Sequence, residues 1–332
     1  MPGILGVPKE NELLKINDLT VSFATETGPA KVIENISFSL EKGKTLGLVG
    51  ESGCGKSVTA MSVMRLLPSP PSRVDSGKIL FDGVNLLSLT NKEMRKIRGN
   101  RIGMIFQEPM TSLNPTFSIG FQIAEVLRLH RDLSNDQARR RSVELLDLVG
   151  VGSPKARIDQ YPHQLSGGLR QRVMIAMALA CDPDLLIADE PTTALDVTIQ
   201  AQILELLAQL QQELGMSILL ITHDLGVVAE FCEEVVVMYA GKIMEKAHVE
   251  ELFSHPRHPY TRGLLASIPK IGNKTHHLPT IAGMVPAIDQ RPAGCYFADR
   301  CERALDVCFL EAATLQPLRE IRHLACWNPY ED

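Results

Sequence analysis

The sequence predicts an α/β fold built around a phosphate-binding loop, and three observations carry this prediction. The segment Gly50–Ser57 reads GESGCGKS and fits the pattern G-x-x-x-x-G-K-[ST]. It follows an apolar run, Thr45–Val49, that is typical of a buried parallel strand. The next residues, Val58–Leu67, space their apolar side chains as a helix does and stop at Pro68. Strand, glycine loop and helix in this order are the context that the motif requires.

The residue types of the loop suit a nucleoside triphosphate. Glycine lets backbone N–H groups turn toward an anion without a Cβ in the way, and the helix start adds the positive end of its dipole. We expect Lys56 to reach the β- and γ-phosphates and Ser57 to ligate Mg²⁺. The predicted nucleotide-contacting residues of the loop are Gly50, Ser52, Gly53, Cys54, Gly55, Lys56, Ser57 and Val58.

Composition narrows the class of protein. A chain of 332 residues has room for about two domains. The net charge of −5 argues against nucleic acid as a partner, since phosphate backbones bind basic surfaces. Met1–Glu12 lacks a basic region followed by an apolar core, so we expect no secretory signal peptide. No run of about 18 apolar residues occurs, and any membrane association is expected to go through a partner.

Strands precede the loop. Leu14–Phe23 and Val32–Leu40 alternate apolar and polar residues, which predicts an antiparallel β-layer beside the α/β core. Phe23 is either an aromatic ring that stacks on adenine or a core residue of its strand. The proline-rich segment Pro68–Ser76 is predicted to be a loop.

Two later strands end in polar residues. Leu185–Glu190 is an apolar run that closes with Asp189 and Glu190, and Ser217–Asp224 is a second apolar run that reaches His223 near its end. In open α/β sheets, ligands bind at the carboxyl ends of the strands. The sequence therefore predicts that these side chains belong to a functional site.

The segment between loop and acidic strand is expected to be mostly helical. Ile102–Gln107 is predicted to be a strand, and Glu108–Pro115 cannot be regular because its two prolines remove backbone donors. Ile119–Gly150 has a helical pattern. Leu165–Arg172 places a Ser-Gly-Gly sequence at a helix start, which is a second anion-binding geometry.

Together these residues resemble the nucleotide-binding subunit of ATP-binding-cassette (ABC) transporters. The resemblance covers nearly all of residues 13–252 and implies a P-loop NTPase cassette: a RecA-like α/β core with an antiparallel β subdomain and a helical subdomain at about 108–175. The implied ATPase domain is residues 1–252. Six motifs carry the resemblance in the family's order: Phe23, Gly50–Ser57, Gln107, Leu165–Gly168, Leu185–Glu190 with Asp196, and His223.

The resemblance implies roles at the ATP site. Gln107 is similar to the glutamine that contacts Mg²⁺ and the attacking water, and Asp189 to the carboxylate that supports Mg²⁺ together with Ser57. Glu190 is similar to the general base, and His223 to the histidine that contacts the γ-phosphate. The implied catalytic set is Glu190, His223 and Gln107, with Phe23 stacking on adenine.

The resemblance also implies a dimer. Ser166, Gly167 and Gly168 look like the signature motif that completes the ATP site of the opposite subunit, and Asp196 belongs to the implied nucleotide contacts. The family's usual residue after this motif is Gln, and this chain has Leu169. The departure puts one contact to the partner in doubt and fits a heterodimer with a different ATPase subunit.

Residues 253–332 exceed the minimal ATPase. Phe253–Leu265 resembles the tail motif of oligopeptide and dipeptide importer ATPases, and Tyr161–Gly168 and Ala194–Gln202 are similar to the same subgroup. This implies a C-terminal extension of the peptide-importer type.

Four cysteines crowd this extension: Cys295, Cys301, Cys308 and Cys326. Their spacing, C-x5-C, C-x6-C and C-x17-C, matches neither zinc fingers nor ferredoxins. Three interpretations remain: a [4Fe–4S] cluster, a zinc site, or structural or free thiols. Similarity to the importer subgroup favours a [4Fe–4S] cluster with a structural role.

The implied function is that of an ATP-binding and ATP-hydrolysing subunit on the cytoplasmic face of the inner membrane. The implied partners are a second ATPase subunit, two transmembrane permease subunits and an extracytoplasmic peptide-binding protein. The implied cargo is dipeptides or oligopeptides, with glutathione or another small peptide-like solute as the alternative. Two other classes that use this cassette fit poorly. DNA-repair ATPases insert hundreds of coiled-coil residues between the phosphate loop and the signature motif, whereas Ser57 and Ser166 are only 109 positions apart. Translation factors carry two cassettes in one chain, and this chain has one. A non-catalytic binding module is a third alternative.

Overall fold

The computed structural model describes residues 11–26, 28–193, 195–268, 280–319 and 321–331. The chain divides into two compact units. The first unit comprises Met1–Leu40, Thr45–Leu87 and Thr222–Asp332, and the second comprises Glu41–Lys44 and Ser88–Ile221. Residues 1–10 and 269–279 of the predicted domains, and Ala194 of an importer-like segment, lie outside the described residues.

The described residues form strands and helices with the following bounds. The strands are β1 (Glu12–Thr25), β2 (Gly28–Glu41), β3 (Thr45–Val49), β4 (Ser72–Phe81), β5 (Val84–Asn85), β6 (Ile102–Ile105), β7 (Leu185–Asp189), β8 (Ser217–Thr222), β9 (Glu234–Tyr239), β10 (Lys242–His248), β11 (Gln316–Pro317) and β12 (His323–Leu324). The helices are α1 (Lys56–Val63), α2 (Asn91–Ile97), α3 (Pro109–Ser112), α4 (Ile119–Arg131), α5 (Asn135–Leu148), α6 (Pro154–Arg157), α7 (Gly167–Ala178), α8 (Val197–Leu214), α9 (Leu225–Phe231), α10 (Val249–Ser254), α11 (Pro259–Ala266) and α12 (Asp306–Leu310).

The first unit contains two sets of strands. One is a four-stranded sheet in the order β2-β1-β4-β5, in which β1 pairs antiparallel with β4 and β4 with β5. In the other, β3 pairs parallel with β9, and β9, β10, β12 and β11 continue as antiparallel neighbours. The C-terminal strands β11 and β12 therefore extend the sheet that contains the strand before the phosphate loop. Every residue of β3 is buried, as its apolar sequence predicts.

The second unit is built on three parallel strands. Strand β6 pairs with β7, and β7 pairs with β8, so the carboxyl ends of all three lie at one edge. All residues of these strands are buried. Helices α4 and α5 are each preceded by a capping serine, Ser118 and Ser134, whose side chain accepts a hydrogen bond from the helix backbone. The unit thus has the α/β pattern that the sequence predicts.

Two local predictions are wrong. Residues 72–76, expected to be loop, form the start of β4, because their backbone pairs with β1 in a register that sets Ser72 opposite Phe23. Residues 109–112, expected to be irregular, form the single turn α3. Pro109 is tolerated there because it is the first helical residue, and an N–H at that position would have no intrahelical partner, so proline's lack of one costs no hydrogen bond. In the part of the chain that the structure describes, no helix combines the length and apolar character needed to span a membrane.

Candidate nucleotide site

The phosphate loop lies in the first unit between β3 and α1. Gly50 follows the buried strand with φ +152°, and a Cβ at this position would overlap the carbonyl oxygen of Met238. Gly55 stands immediately before α1 with φ +102°. Both positions therefore need glycine. Ser52 and Gly53 are exposed at the tip of the loop.

Lys56 is the first residue of α1 and is only 5% exposed. Its Nζ donates hydrogen bonds to the carbonyl oxygens of Gly50, at 2.7 Å, and Glu51, at 3.2 Å. The ammonium is thus folded onto the loop itself. A buried cation solvated by neutral carbonyl oxygens favours an incoming anion.

The neighbours of Lys56 differ in their exposure to solvent. Ser57 is exposed in the first turn of α1, and Val58 is half-buried. Cys54 is buried, and burial raises the pKa of its thiol. Cys54 therefore packs as a neutral side chain inside the loop.

Two further predicted residues lie in the first unit. Phe23 is half-buried near the end of β1. His223 is exposed and directly follows β8. The next residue, Asp224, caps α9 by accepting hydrogen bonds from the N–H groups of Gly226 and Val227. The cap defines where the backbone turns after His223.

In the second unit, the structure brings Gln107 and Glu190 together. Ile105 of β6 and Ala188 of β7 are in register, so the residues after them leave the sheet at the same edge. Gln107 Nε2 donates to Glu190 Oε2 at 3.0 Å. Asp189, at the last position of β7, is 5% exposed.

Glu190 has an unusual backbone. Its φ is +46°, in the left-handed region that disfavours side chains with a Cβ, and its N–H donates to the carbonyl oxygen of Ile221 at 2.9 Å. The backbone hydrogen bond offsets part of this strain. Left-handed residues that the surrounding structure holds in place cluster at functional sites.

Thr193 also contacts Glu190, although no sequence motif indicated it. Its hydroxyl donates to Glu190 Oε2 at 2.9 Å, so the same carboxylate oxygen accepts from Thr193 and Gln107. The available signal was a threonine three residues after an acidic strand end, which is the spacing of one tight turn. The turn is closed by a bond from Thr193 N–H to the carbonyl oxygen of Glu190 at 3.1 Å.

The signature-like segment begins α7. Ser166 caps the helix, and its hydroxyl accepts from the N–H of Leu169 at 3.4 Å. Gly167 is exposed, and a Cβ on Gly168 would come within 3.1 Å of Ile199. Asp196 caps the neighbouring helix α8 and accepts from the N–H of Ile199 at 3.0 Å. The glycine pair thus leaves the start of α7 open on one side and close to α8 on the other.

The predicted iron–sulfur cluster is wrong. The four late cysteines line one cavity of only about 20 Å³. Among the residues that the structure describes, no group of three or more His, Cys, Asp or Glu side chains is arranged to hold a metal ion. The zinc alternative falls on the same finding.

Burial favours the protonated form of three of these thiols. It raises the pKa of the Cys295 and Cys301 thiols and that of Cys326 to about 12. The thiolate is the form that binds metal, and these groups are held as neutral thiols. Cys308 Sγ accepts a hydrogen bond from the N–H of Leu305 at 3.4 Å. The arrangement fits structural thiols that pack in a small core.

A glycine loop between a buried parallel strand and a helix, with a buried lysine at the helix start, defines a nucleotide-binding protein of the P-loop class. Comparisons with known proteins agree with this. Residues 33–193 match the family "ABC transporter". Residues 244–308 match the family "Oligopeptide/dipeptide transporter, C-terminal region".

Relatives match along nearly the whole chain. A probable peptide ABC transporter ATP-binding protein, y4tR, of Sinorhizobium fredii is 49% identical over 98% of this chain and 97% of its own length. The oligopeptide transport ATP-binding protein OppD of Bacillus subtilis is 51% identical over 96% of this chain and 90% of its own. A dimeric structure of the ATP-binding cassette MJ0796 bound to ADP and Pi has a TM-score of 0.64 and 28% identity, covering 71% of this chain and 99% of that one.

The chain therefore belongs to the ABC transporter family, in its group of peptide-transport ATP-binding proteins. This membership confirms the resemblance predicted from the sequence, the cassette fold and the enzyme class of an ABC-type ATPase. DNA-repair and translation factors are not favoured, because the matched relatives are named as transport proteins.

Proposed function

We propose that this chain is the subunit that binds and hydrolyses ATP to drive import of dipeptides or oligopeptides across the inner membrane. The observation that carries the proposal is the match over residues 244–308 to the oligopeptide/dipeptide transporter C-terminal region, which accompanies the phosphate loop in the same chain. Relatives that are named for peptide transport, with 49% and 51% sequence identity to this chain, support the proposal.

In this proposal the first unit binds the triphosphate. The loop from Gly50 to Val58 offers backbone N–H groups. The ammonium of Lys56 stays supported by the Gly50 and Glu51 carbonyl oxygens and directs its third N–H to phosphate oxygens. Phe23 stacks on the adenine, and its half-buried position on β1 leaves part of the ring open. The exposed His223 contacts the γ-phosphate and senses its loss.

The second unit supplies the hydrolytic groups. Glu190 takes the proton of the attacking water, and Gln107 and Thr193, which both donate to its Oε2, hold the carboxylate in one orientation. In the proposal, the other carboxylate oxygen of Glu190 accepts that proton. The strained backbone of Glu190 fits this role, since strain is commonly held at reacting groups.

The proposed Mg²⁺ ligands are all oxygen donors, the type of ligand that this ion prefers: the hydroxyl of Ser57, the carboxylate of Asp189 and the amide oxygen of Gln107. Asp189 is buried at a strand end, and a buried carboxylate fits a site that receives a cation. When bound, Mg²⁺ neutralises charge on the β- and γ-phosphates.

We further propose that the working unit is a heterodimer of two ATPase subunits. Ser166, Gly167 and Gly168 begin α7 with an exposed cap and an exposed glycine, which gives them access to a partner's nucleotide. Asp196 contributes a nucleotide contact from the start of α8. Leu169 lacks the amide of the usual Gln, which fits a dimer whose two sites differ. The related cassette MJ0796 is described as dimeric in its post-hydrolysis state.

The remaining partners follow from the transporter class. They are two transmembrane permease subunits and an extracytoplasmic peptide-binding protein, with this chain attached peripherally to the cytoplasmic face of the membrane. Nucleic acid is not among them, given the net charge of −5. The proposed domains are an ATPase domain, 1–252, with a helical subdomain at about 108–175, and an extension, 253–332.

The variant Glu190→Gln tests the catalytic part. It keeps the size of the side chain and an oxygen that can accept from Gln107 and Thr193, but it removes the base. We expect steady-state ATP hydrolysis to fall about 10²–10⁴-fold while Mg-ATP stays bound. Glu205→Gln, an exposed substitution on α8, is the matched control and should hydrolyse ATP normally. Equal hydrolysis by both variants would reject Glu190 as the base.

Affinity purification of the tagged chain from membranes tests the partners. We expect a second ATPase and two permease subunits in the complex, and ATP-dependent uptake of labelled dipeptides after reconstitution with the binding protein. Uptake of glutathione with no uptake of dipeptides would select the alternative cargo. Recovery without membrane proteins would contradict the transporter assignment.

A further inference from the structure

Glu51, the second residue of the phosphate loop, is held by side chains from the far end of the chain. The hydroxyl of Tyr260 accepts a hydrogen bond from Glu51 N–H at 3.0 Å, across 209 positions of sequence. Arg300 Nη1 lies 3.1 and 3.0 Å from the two carboxylate oxygens of Glu51, across 249 positions. All three residues belong to the first unit.

The peptide between Gly50 and Glu51 is bonded at both ends. Its carbonyl oxygen accepts from Lys56 Nζ at 2.7 Å, and its N–H donates to Tyr260. The C=O and N–H of a trans peptide point in opposite directions, so holding the N–H fixes where the C=O points. Tyr260 therefore sets the orientation of the carbonyl on which Lys56 rests.

Tyr260 is itself rigidly placed. It is the second residue of α11, after His258, whose Nδ1 accepts from Tyr260 N–H at 3.0 Å, and Pro259 at the first helical position. Its ring is fully buried and lies 4.8 Å from the ring of Tyr239 and 5.2 Å from that of Phe297, centroid to centroid. Burial raises the pKa of the Tyr260 hydroxyl, which stays neutral and able to accept.

Arg300 is also anchored. Its side chain is 7% exposed, and it donates to the carbonyl oxygen of Ala282 at 2.9 Å and to the hydroxyl of Tyr239 at 3.2 Å. The carboxylate of Glu51 belongs to a loop that receives a triphosphate, and an unpaired carboxylate there would repel it. The guanidinium of Arg300 cancels that charge.

We propose that Tyr260 and Arg300 are positioning residues for the phosphate loop. Tyr260 orients the peptide that supports Lys56, and Arg300 neutralises Glu51. This inference rests on the proposed function, because it takes the loop to bind ATP. It also gives the segment His258-Pro259-Tyr260 a physical role, because the first two residues start the helix that presents the third to the loop.

The variant Tyr260→Phe tests the first half. It keeps the packed ring and removes only the hydroxyl, so Glu51 N–H loses its partner. We expect the Kd for Mg-ATP to rise about tenfold. Tyr296→Phe is the matched control: its hydroxyl bonds to Glu34 at 2.6 Å, in the same unit but outside the loop. Equal ATP affinities for the two variants would overturn the role of Tyr260.

A charge-neutralisation cycle tests the second half. Arg300→Gln should weaken Mg-ATP binding about tenfold, while Arg303→Gln, whose guanidinium bonds to Asn328, should leave it unchanged. The double variant Glu51→Gln/Arg300→Gln should recover an affinity within about threefold of the wild type, because no carboxylate is left to neutralise. A merely structural arginine would not be rescued. A double variant as weak as Arg300→Gln alone would overturn the neutralisation.

Wild-type binding separates this inference from the proposed function. If the wild type binds Mg-ATP and Lys56→Ala does not, while Tyr260→Phe and Arg300→Gln bind normally, only the positioning role fails. If the wild type itself binds no Mg-ATP, the proposed function fails and the positioning role falls with it.

Discussion

The ion pair between Glu245 and Arg322 ties the last part of the chain to β10, and its loss should be costly. Glu245 is fully buried, and Arg322 is 3% exposed. Arg322 Nη2 donates to Glu245 at 2.8 Å, and the backbone N–H groups of Arg257 and His258 donate to the same carboxylate at 3.1 and 2.9 Å. Arg322 also reaches Glu251 at 2.8 Å.

The variant Arg322→Met fills similar space and leaves the Glu245 charge buried without its cation. Breaking one side of a buried pair costs about 3–5 kcal/mol, and we expect about 3 kcal/mol here because two backbone N–H donors remain. At ~2–4 °C per kcal/mol for a unit of this size, the midpoint of thermal unfolding should fall by about 6–12 °C. Circular dichroism at fixed protein concentration measures this shift.

Two controls make the result decisive. Arg319→Met removes an arginine that is 68% exposed and 3.5 Å from Glu251, and should change stability by at most about 0.5 kcal/mol. Glu245→Gln combined with Arg322→Met should recover part of the lost stability, since the buried charge is gone. If Arg322→Met unfolded at the same temperature as Arg319→Met, the buried pair would not hold this part of the chain.

Three further outcomes are expected. Gly50→Ala forces a Cβ toward the carbonyl oxygen of Met238 at a positive φ and should weaken Mg-ATP binding at least ~10-fold in a binding titration. The control Gly83→Ala, in open space at φ +79°, should lower the free energy of unfolding by about 1 kcal/mol and leave the Kd for Mg-ATP unchanged. Gln107→Ala removes an amide that orients Glu190 and supplies a proposed Mg²⁺ ligand, and it should lower ATP hydrolysis about 10–100-fold, measured as phosphate release. Burial lowers the pKa of His258 to about 3, so as the pH falls the unfolded chain binds a proton before the folded chain does. The contribution of His258 to the free energy of unfolding is therefore complete above pH ~6.5 and is lost toward pH ~3 at up to ~1.4 kcal/mol per pH unit. His258→Asn keeps a capping side chain that does not titrate, and urea unfolding should show a weaker dependence of its unfolding free energy on pH.

Features that depend on residues close together in the sequence could be predicted. The strand, loop and helix around Gly50–Ser57 were predictable because the glycines, the lysine and the flanking apolar runs are contiguous. Gln107 and Glu190 meet because β6 and β7 are parallel strands that end at the same edge of the sheet. The ends of both strands could be predicted, because the apolar runs stop there. Their hydrogen bond needed the register of β6 and β7, which the sequence does not state.

Contacts across long separations could not be predicted. Tyr260 and Arg300 reach Glu51 from 209 and 249 positions away, and no pattern in the chain indicates that they meet. The metal site predicted from the four late cysteines was wrong for a different reason. Their spacing showed crowding, but loops leave the direction of each thiol free, and in the structure the thiols pack in a cavity of about 20 Å³ without a metal-binding arrangement among the described residues.

Single-turnover hydrolysis of γ-labelled Mg-ATP, with bound nucleotide and released phosphate counted in the same sample, tests the central claim most directly. The account predicts that the wild type binds and cleaves ATP, that Lys56→Ala binds none, and that Glu190→Gln binds ATP but retains it uncleaved. Phosphate release by Glu190→Gln at the wild-type rate, or undiminished ATP binding by Lys56→Ala, would contradict it.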